Sequence, residues 1–142
     1  MKFKYKKIDP WMRRPIIPIS LRNKDASIRT EALVDSGADR CWFAYEVGTA
    51  LGIEVEKGLK ETVYGFTGHQ CDYFLHTIDL NVGGWEHAIE VGFLAKDSNA
   101  PYGVLGQSGF FDLYIVTFDV IKYEIELKER NQVKRSSLPR RA

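Results

Sequence analysis

Residues 32–39 read Ala-Leu-Val-Asp-Ser-Gly-Ala-Asp, so a carboxylate, Asp35, stands directly on the end of an apolar run. Upstream, Ile28, Thr30 and Ala32 alternate with Arg29 and Glu31, the period of a half-buried strand. The alternation then gives way to unbroken Leu33-Val34, which sends the C-terminal end of that strand into the interior. An ionised Asp in such a place is costly unless hydrogen bonds and a proton partner compensate for the lost water. Ser36 supplies a hydroxyl, and Gly37 lets backbone N–H groups approach the carboxylate without a Cβ in the way. Taken alone, Asp-Ser-Gly favours a plain turn, because Asp makes Asx-turns and Gly accepts positive φ. The apolar approach shifts the reading toward a carboxylate held rigidly at a strand end.

The rest of the chain is patterned mostly for short strands. Residues 16–21 are apolar and β-branched, with Pro15 and Pro18 confining them to an edge or a strand start. Residues 23–25 turn the chain, and residues 44–51 fit a short helix closed by Gly52. Residues 61–65 and 72–82 predict two strands around a glycine-containing tip, Gly65-Phe66-Thr67-Gly68. Gly83-Gly84 then turns into a further strand at 85–94. An apolar strand at 102–105 is broken by Gly106, residues 107–112 predict one or two helical turns, and residues 113–119 and 123–127 read as a hairpin. At the N-terminus, Lys2, Lys4, Lys6 and Lys7 alternate with Phe3 and Tyr5, as in a short edge strand with a basic face. These signals imply a mainly β chain, a closed or partly closed barrel or a sandwich, with one or two short helices. Residues 1–15 form an N-terminal extension or edge strand, residues 16–130 the domain, and the polar, basic residues 131–142 a disordered tail.

Composition removes several classes of function. A chain of 142 residues supports one core. Twenty Lys+Arg against nineteen Asp+Glu give a formal net charge of +1, so neither a nucleic-acid partner nor a membrane surface is expected. No run approaches the ~18 apolar residues of a membrane span. The charged N-terminus lacks the apolar stretch of a secretory signal. Cys41 and Cys71 have no CxxC spacing, which favours free thiols in a cytoplasmic protein over a bridge or a zinc site. His69, His76 and His87 share no metal-ligand spacing, so neither metal nor cofactor is expected.

Three features taken together, over residues 16–127, resemble the retropepsin-like (retroviral-type) aspartic proteases. Asp35-Ser36-Gly37-Ala38 matches the family's Asp-Thr/Ser-Gly-Ala signature, and Val104-Leu105-Gly106 matches its second apolar-apolar-glycine element. Residues 63–68 stand where the family carries its flap, the hairpin that closes over substrate. The hairpin after Phe110-Phe111-Asp112 is similar to that of cellular and bacterial members rather than the shorter viral ones. The resemblance implies a small closed β-barrel of the retropepsin-like acid protease fold, and an aspartic endopeptidase that hydrolyses peptide or protein substrates in the cytoplasm.

It also implies roles for particular residues. Asp35, Ser36 and Gly37 would form the catalytic loop. Ala38, Asp39, Tyr64, Gly65, Phe66 and Val104 would meet substrate, although hairpin packing explains Tyr64 and Phe66 equally, and core packing explains Val104. The family's site holds two aspartates sharing one proton, because two like charges in contact cannot both ionise cheaply. Asp35 alone in this chain carries the signature, so the enzyme would be a homodimer with Asp35 of each subunit meeting on the axis. Ser36 would bond across that axis. Two departures bear on this reading. Gln107 and Ser108 stand where the family commonly places Arg or Asn/Asp, which leaves Arg40 or Arg22 as ion-pair partner for Asp39. A long hairpin and a tail follow where viral dimers interleave short termini, so the dimer interface would be built differently. Two alternatives stay open: a catalytically weak retropepsin-like dimerisation or peptide-binding module, and an unrelated β-barrel in which Asp-Ser-Gly is only a turn.

Overall fold

A computed structural model describes residues 1–65 and 67–130. Phe66 and the expected tail at 131–142 lie outside the described residues. The chain opens with short strands at Lys2–Lys4 (β1), Lys6–Asp9 (β2) and Met12–Arg14 (β3), followed by Ile16–Asn23 (β4) and Ala26–Val34 (β5). After the loop that carries Asp35 come Trp42–Phe43 (β6) and a helix at Tyr45–Ala50 (α1). A hairpin of Leu59–Tyr64 (β7) and Gln70–Val82 (β8) leads into Trp85–Leu94 (β9). Gly103–Leu105 (β10), Tyr114–Asp119 (β11) and Glu124–Glu129 (β12) complete the chain.

Six of these strands close on themselves. Their order is β4-β5-β10-β6-β9-β8, and β8 returns to β4 through Ser20↔Asn81, Leu21↔Leu80 and Arg22↔Asp79. This is the mainly β, closed barrel with a short helix that the resemblance implied, chosen from the barrel and sandwich that the strand pattern left open. Closure leaves little open edge on the ring. It is also why β4 is more than an edge strand. Only its N-terminal half, which holds Pro18, has a neighbour on one side alone, and its C-terminal half lies between β5 and β8. β7 pairs with the outer part of β8 and stands off the ring as an arm.

The core follows the alternation in the strands. Along β5 burial deepens toward the C-terminal end, where Ala32 and Val34 are buried. In β8 the buried positions are Tyr73 and Leu75, then Ile78, Leu80 and Val82. The change from odd to even numbers means that one strand buries opposite faces in its two halves. Ile78, Leu80 and Val82 enter the barrel core with Phe43, Phe93 and Leu105. Tyr73 and Leu75 join Leu94 in a small separate cluster, against which Trp42 and Val63 pack. That second cluster supports the root of the β7 arm.

Three segments differ from the sequence reading. The expected N-terminal edge strand is divided at Tyr5: β1 pairs with β12, and β2 pairs with β3. Residues 107–112 form turns instead of a helix, because the Ser108 backbone is drawn into a parallel bridge with Arg40. β6, too short to show a period, inserts between β9 and β10.

Candidate active site

The site rests on a parallel pair of strands. β10 lies beside the end of β5 in the register Gly103↔Ala32, Val104↔Leu33 and Leu105↔Val34. Asp35 and Gly106 therefore leave the barrel side by side, and the Asp35 N–H donates to the Leu105 carbonyl at 3.0 Å. Beyond this the backbone turns: the Ala38 N–H donates to the Asp35 carbonyl at 3.2 Å. The Gly37 N–H donates to Asp35 Oδ1 at 2.8 Å. A Cβ on Gly37 would stand 3.2 Å from that same oxygen, so a side chain there would crowd the carboxylate. The turn chemistry of Asp-Ser-Gly is thus what fixes the carboxylate. Oδ2 has no hydrogen-bond partner among the described residues, which leaves one oxygen of the half-buried Asp35 available.

The second glycine loop clamps the first. The Gln107 N–H donates to the Ala38 carbonyl at 2.8 Å, and the Ser108 N–H to the Asp39 carbonyl at 2.9 Å. The Gln107 side chain donates through Nε2 to the Ser36 carbonyl at 2.6 Å. Gln107 therefore binds the Asp35 loop by its amide, without an ion pair. Beneath, the Gly106 N–H lies 3.4 Å from Cys41 Sγ, which is itself 3.5 Å from the Ser108 carbonyl. Burial pushes the Cys41 thiol up to about 12, so it serves as a packed, un-ionised link between the two loops. Cys41 and Cys71 are both free, as expected from the sequence.

The expected partners of Asp39 are otherwise engaged. Arg40 pairs with Glu61 of β7 at 2.8 Å and with Glu90 of β9 at 3.0 Å, and Arg22 pairs with Asp79 and Glu86. Tyr73 of β8 donates its hydroxyl to Glu61 Oε1 at 2.9 Å. One guanidinium so ties the Asp35 loop to the arm and to β9, and β8 joins through the Tyr73 bond to Glu61. Burial opposes ionisation of Glu61, but the hydrogen bonds from Arg40 and Tyr73 and the Arg40 charge outweigh it, holding this carboxyl below its usual range. The sequence reading missed this network. Glu61, Tyr73 and Glu90 become neighbours only through the β7–β8–β9 register.

A cleft of about 620 Å³ runs between the loop and the arm. Of the residues singled out from the sequence, Gly37, Ala38, Asp39, Tyr64 and Gly65 line it. Tyr64 is 71% exposed, so hairpin packing does not account for its ring. Val104 is 4% exposed and pairs with Leu33 and with Trp42, which lines the cleft, but Val104 itself is covered and not part of the lining. Asp35 and Ser36 lie on the same loop outside the cleft lining, with Ser36 exposed. The hairpin tip is held by the Gly65 N–H donating to the His69 carbonyl at 2.8 Å.

A barrel of this topology, with an Asp-Ser-Gly loop clamped by a second glycine loop beneath a hairpin arm, is the retropepsin-like fold. Solved structures agree. A retropepsin-like aspartic protease from Rickettsia conorii superposes with a TM-score of 0.61 and 18% identity, over 88% of this chain and 97% of that one. The EIAV protease complexed with the inhibitor HBY-793 gives a TM-score of 0.50 and 16% identity, over 70% of this chain and 88% of that one. At these identities the likeness is one of fold. No family model and no curated protein sequence matches the chain.

Proposed function

We propose that the chain is an aspartic endopeptidase that works as a homodimer. The observation that carries this reading is the Asp35 carboxylate, fixed through Oδ1 by the Gly37 N–H with Oδ2 left open, on a loop whose next residues floor the cleft. One chain supplies one such carboxylate. A second copy related by a two-fold axis supplies the other, and the pair holds a single proton and titrates as a unit. The ionised member takes a proton from a water as that water attacks the scissile carbonyl. The protonated member donates a hydrogen bond to the carbonyl oxygen and stabilises its developing charge. Ser36, exposed beside Asp35, bonds across the axis. Ala38, Asp39, Tyr64, Gly65, Phe66 and Val104 are the proposed substrate contacts, Val104 through its place beneath Trp42 on the cleft side of β10. The working domain is residues 16–130. Free Cys41 and Cys71 support a cytoplasmic location. No helix among the described residues is long and apolar enough to cross a membrane.

Purified protein is to be incubated with a peptide library between about pH 3 and 7, the range in which a carboxylate pair changes its protonation. Asp35→Asn serves as the control. The wild type cuts and the variant does not. Equal cleavage by both contradicts the proposal, and binding of extended peptides without cleavage favours the peptide-binding module.

A further inference from the structure

The cleft wall beside the Asp35 loop is acidic although an arginine stands in it. A compartment of about 700 Å³ lies there, with Asp39, Arg40, Glu61, Tyr64, Tyr73 and Ser108 among its walls. Every nitrogen of Arg40 already donates to a carboxylate. Its Nε and NH2 donate to the two oxygens of Glu61 at 2.8 and 3.1 Å, and its NH1 donates to Glu90 at 3.0 Å. Glu61 cancels its charge and Glu90 adds a further negative one. Asp39 is exposed and has no cationic partner among the described residues. Within that wall two carboxylates, Asp39 and Glu61, stand against one guanidinium, Glu90 adds a further negative charge behind Arg40, and a concave wall with an excess of one sign concentrates counter-charge. The adjoining compartment shares Asp39, Arg40, Val63, Tyr64 and Tyr73 but adds Trp42 and Leu94, which are apolar.

We propose that the acidic compartment is a subsite for a cationic side chain, so that the preferred substrates are extended peptides carrying Lys or Arg near an apolar residue. Asp39 is the specificity-determining residue and supplies the counter-charge. The exposed ring of Tyr64 faces the aliphatic stem, which a long basic side chain buries while its charged end stays near the carboxylates. The apolar residue occupies the neighbouring compartment. This inference takes from the peptidase reading only that the occupant is a peptide.

The test is binding of extended peptides that differ at one position by Lys, Leu or Glu, scanned along the sequence. Binding is measured by fluorescence anisotropy on Asp35→Asn, so that cleavage plays no part, and cleavage by the wild type is measured in parallel. At one position Lys is expected to bind about tenfold tighter than Glu, the ratio that one net charge contact of about 1.4 kcal/mol gives. Raising salt to about 0.5 M shrinks that ratio, because screening falls on exposed charges. Within Asp39→Asn the Lys-to-Glu ratio falls toward one, whatever that change does to binding overall. If Asp39→Asn does not fold, the salt dependence in otherwise intact protein decides. Equal binding of Lys and Glu at every position, a preference for Glu, or no peptide binding at all overturns the inference. A Lys preference in binding with no cleavage by the wild type upholds the subsite and overturns the peptidase.

Discussion

A Cβ on Gly106 would sit 2.5 Å from the Arg40 carbonyl oxygen and 2.6 Å from that of Ala38. Both are backbone atoms on the continuation of the Asp35 loop, and neither can swing aside as a flexible side chain does. Gly106→Ala is therefore expected to cost about 3 kcal/mol, the upper range for overpacking a well-packed site. It also moves the loop that Gln107 and Ser108 clamp. Denaturant unfolding together with peptide cleavage checks both effects, and an Ala variant of full stability and activity contradicts the close approach. This glycine was legible in the sequence as the end of an apolar run, but its reason was not. Steric necessity at Gly106 depends on where the Ala38 and Arg40 carbonyls lie, and they belong to a segment more than sixty residues away in sequence. Asp35 was legible because one local fact, a carboxylate on an apolar strand end, already implied an unusual environment.

The arm formed by β7 and β8 is anchored at its root by charge. Glu61 is held below its ordinary range by Arg40 and Tyr73, so its contribution to stability is complete above the usual glutamate range and is lost as pH falls through the lowered value. The window therefore lies on the acid side of 4.5, the unperturbed value. Melting temperature followed against pH is expected to show Glu61→Gln below the wild type at neutral pH and converging on it in acid. Parallel curves contradict the anchor. Strands with a clear period of two were legible in the sequence, as β9 shows by running from Trp85 to Leu94 where alternation placed it. Elements made by tertiary pairing were not. β6 is two residues long and exists because β9 and β10 accept it on either side. Residues 107–112 are expected from the sequence to make one or two helical turns, but the Ser108 bridge to Arg40 overrides that local preference. The Arg40 network was hidden for the same reason: no local pattern reports which strands become neighbours.

At the scale of the molecule, the proposed function makes this fold half of a symmetric site. The barrel is closed, and the N-terminus is laid along the chain's own C-terminal hairpin. The Met1 ammonium donates to the Leu127 carbonyl at 3.2 Å, the Leu127 N–H donates to the Met1 carbonyl at 2.8 Å, and the Tyr5 N–H donates to the Tyr123 carbonyl at 2.8 Å. The Tyr5 and Tyr123 rings meet edge to face, with centroids 6.0 Å apart. β1 thus finds its partner strand within the chain, which agrees with an interface built otherwise than by interleaved termini. The central claim is that each active site needs Asp35 from two copies, and mixing tests it most directly. Wild type is equilibrated with an equal amount of Asp35→Asn, and cleavage is measured per wild-type chain. If a two-fold site requires both carboxylates, random pairing puts half of the wild-type chains into mixed dimers and activity per wild-type chain falls to about half. Activity per wild-type chain that stays unchanged at every ratio contradicts the account.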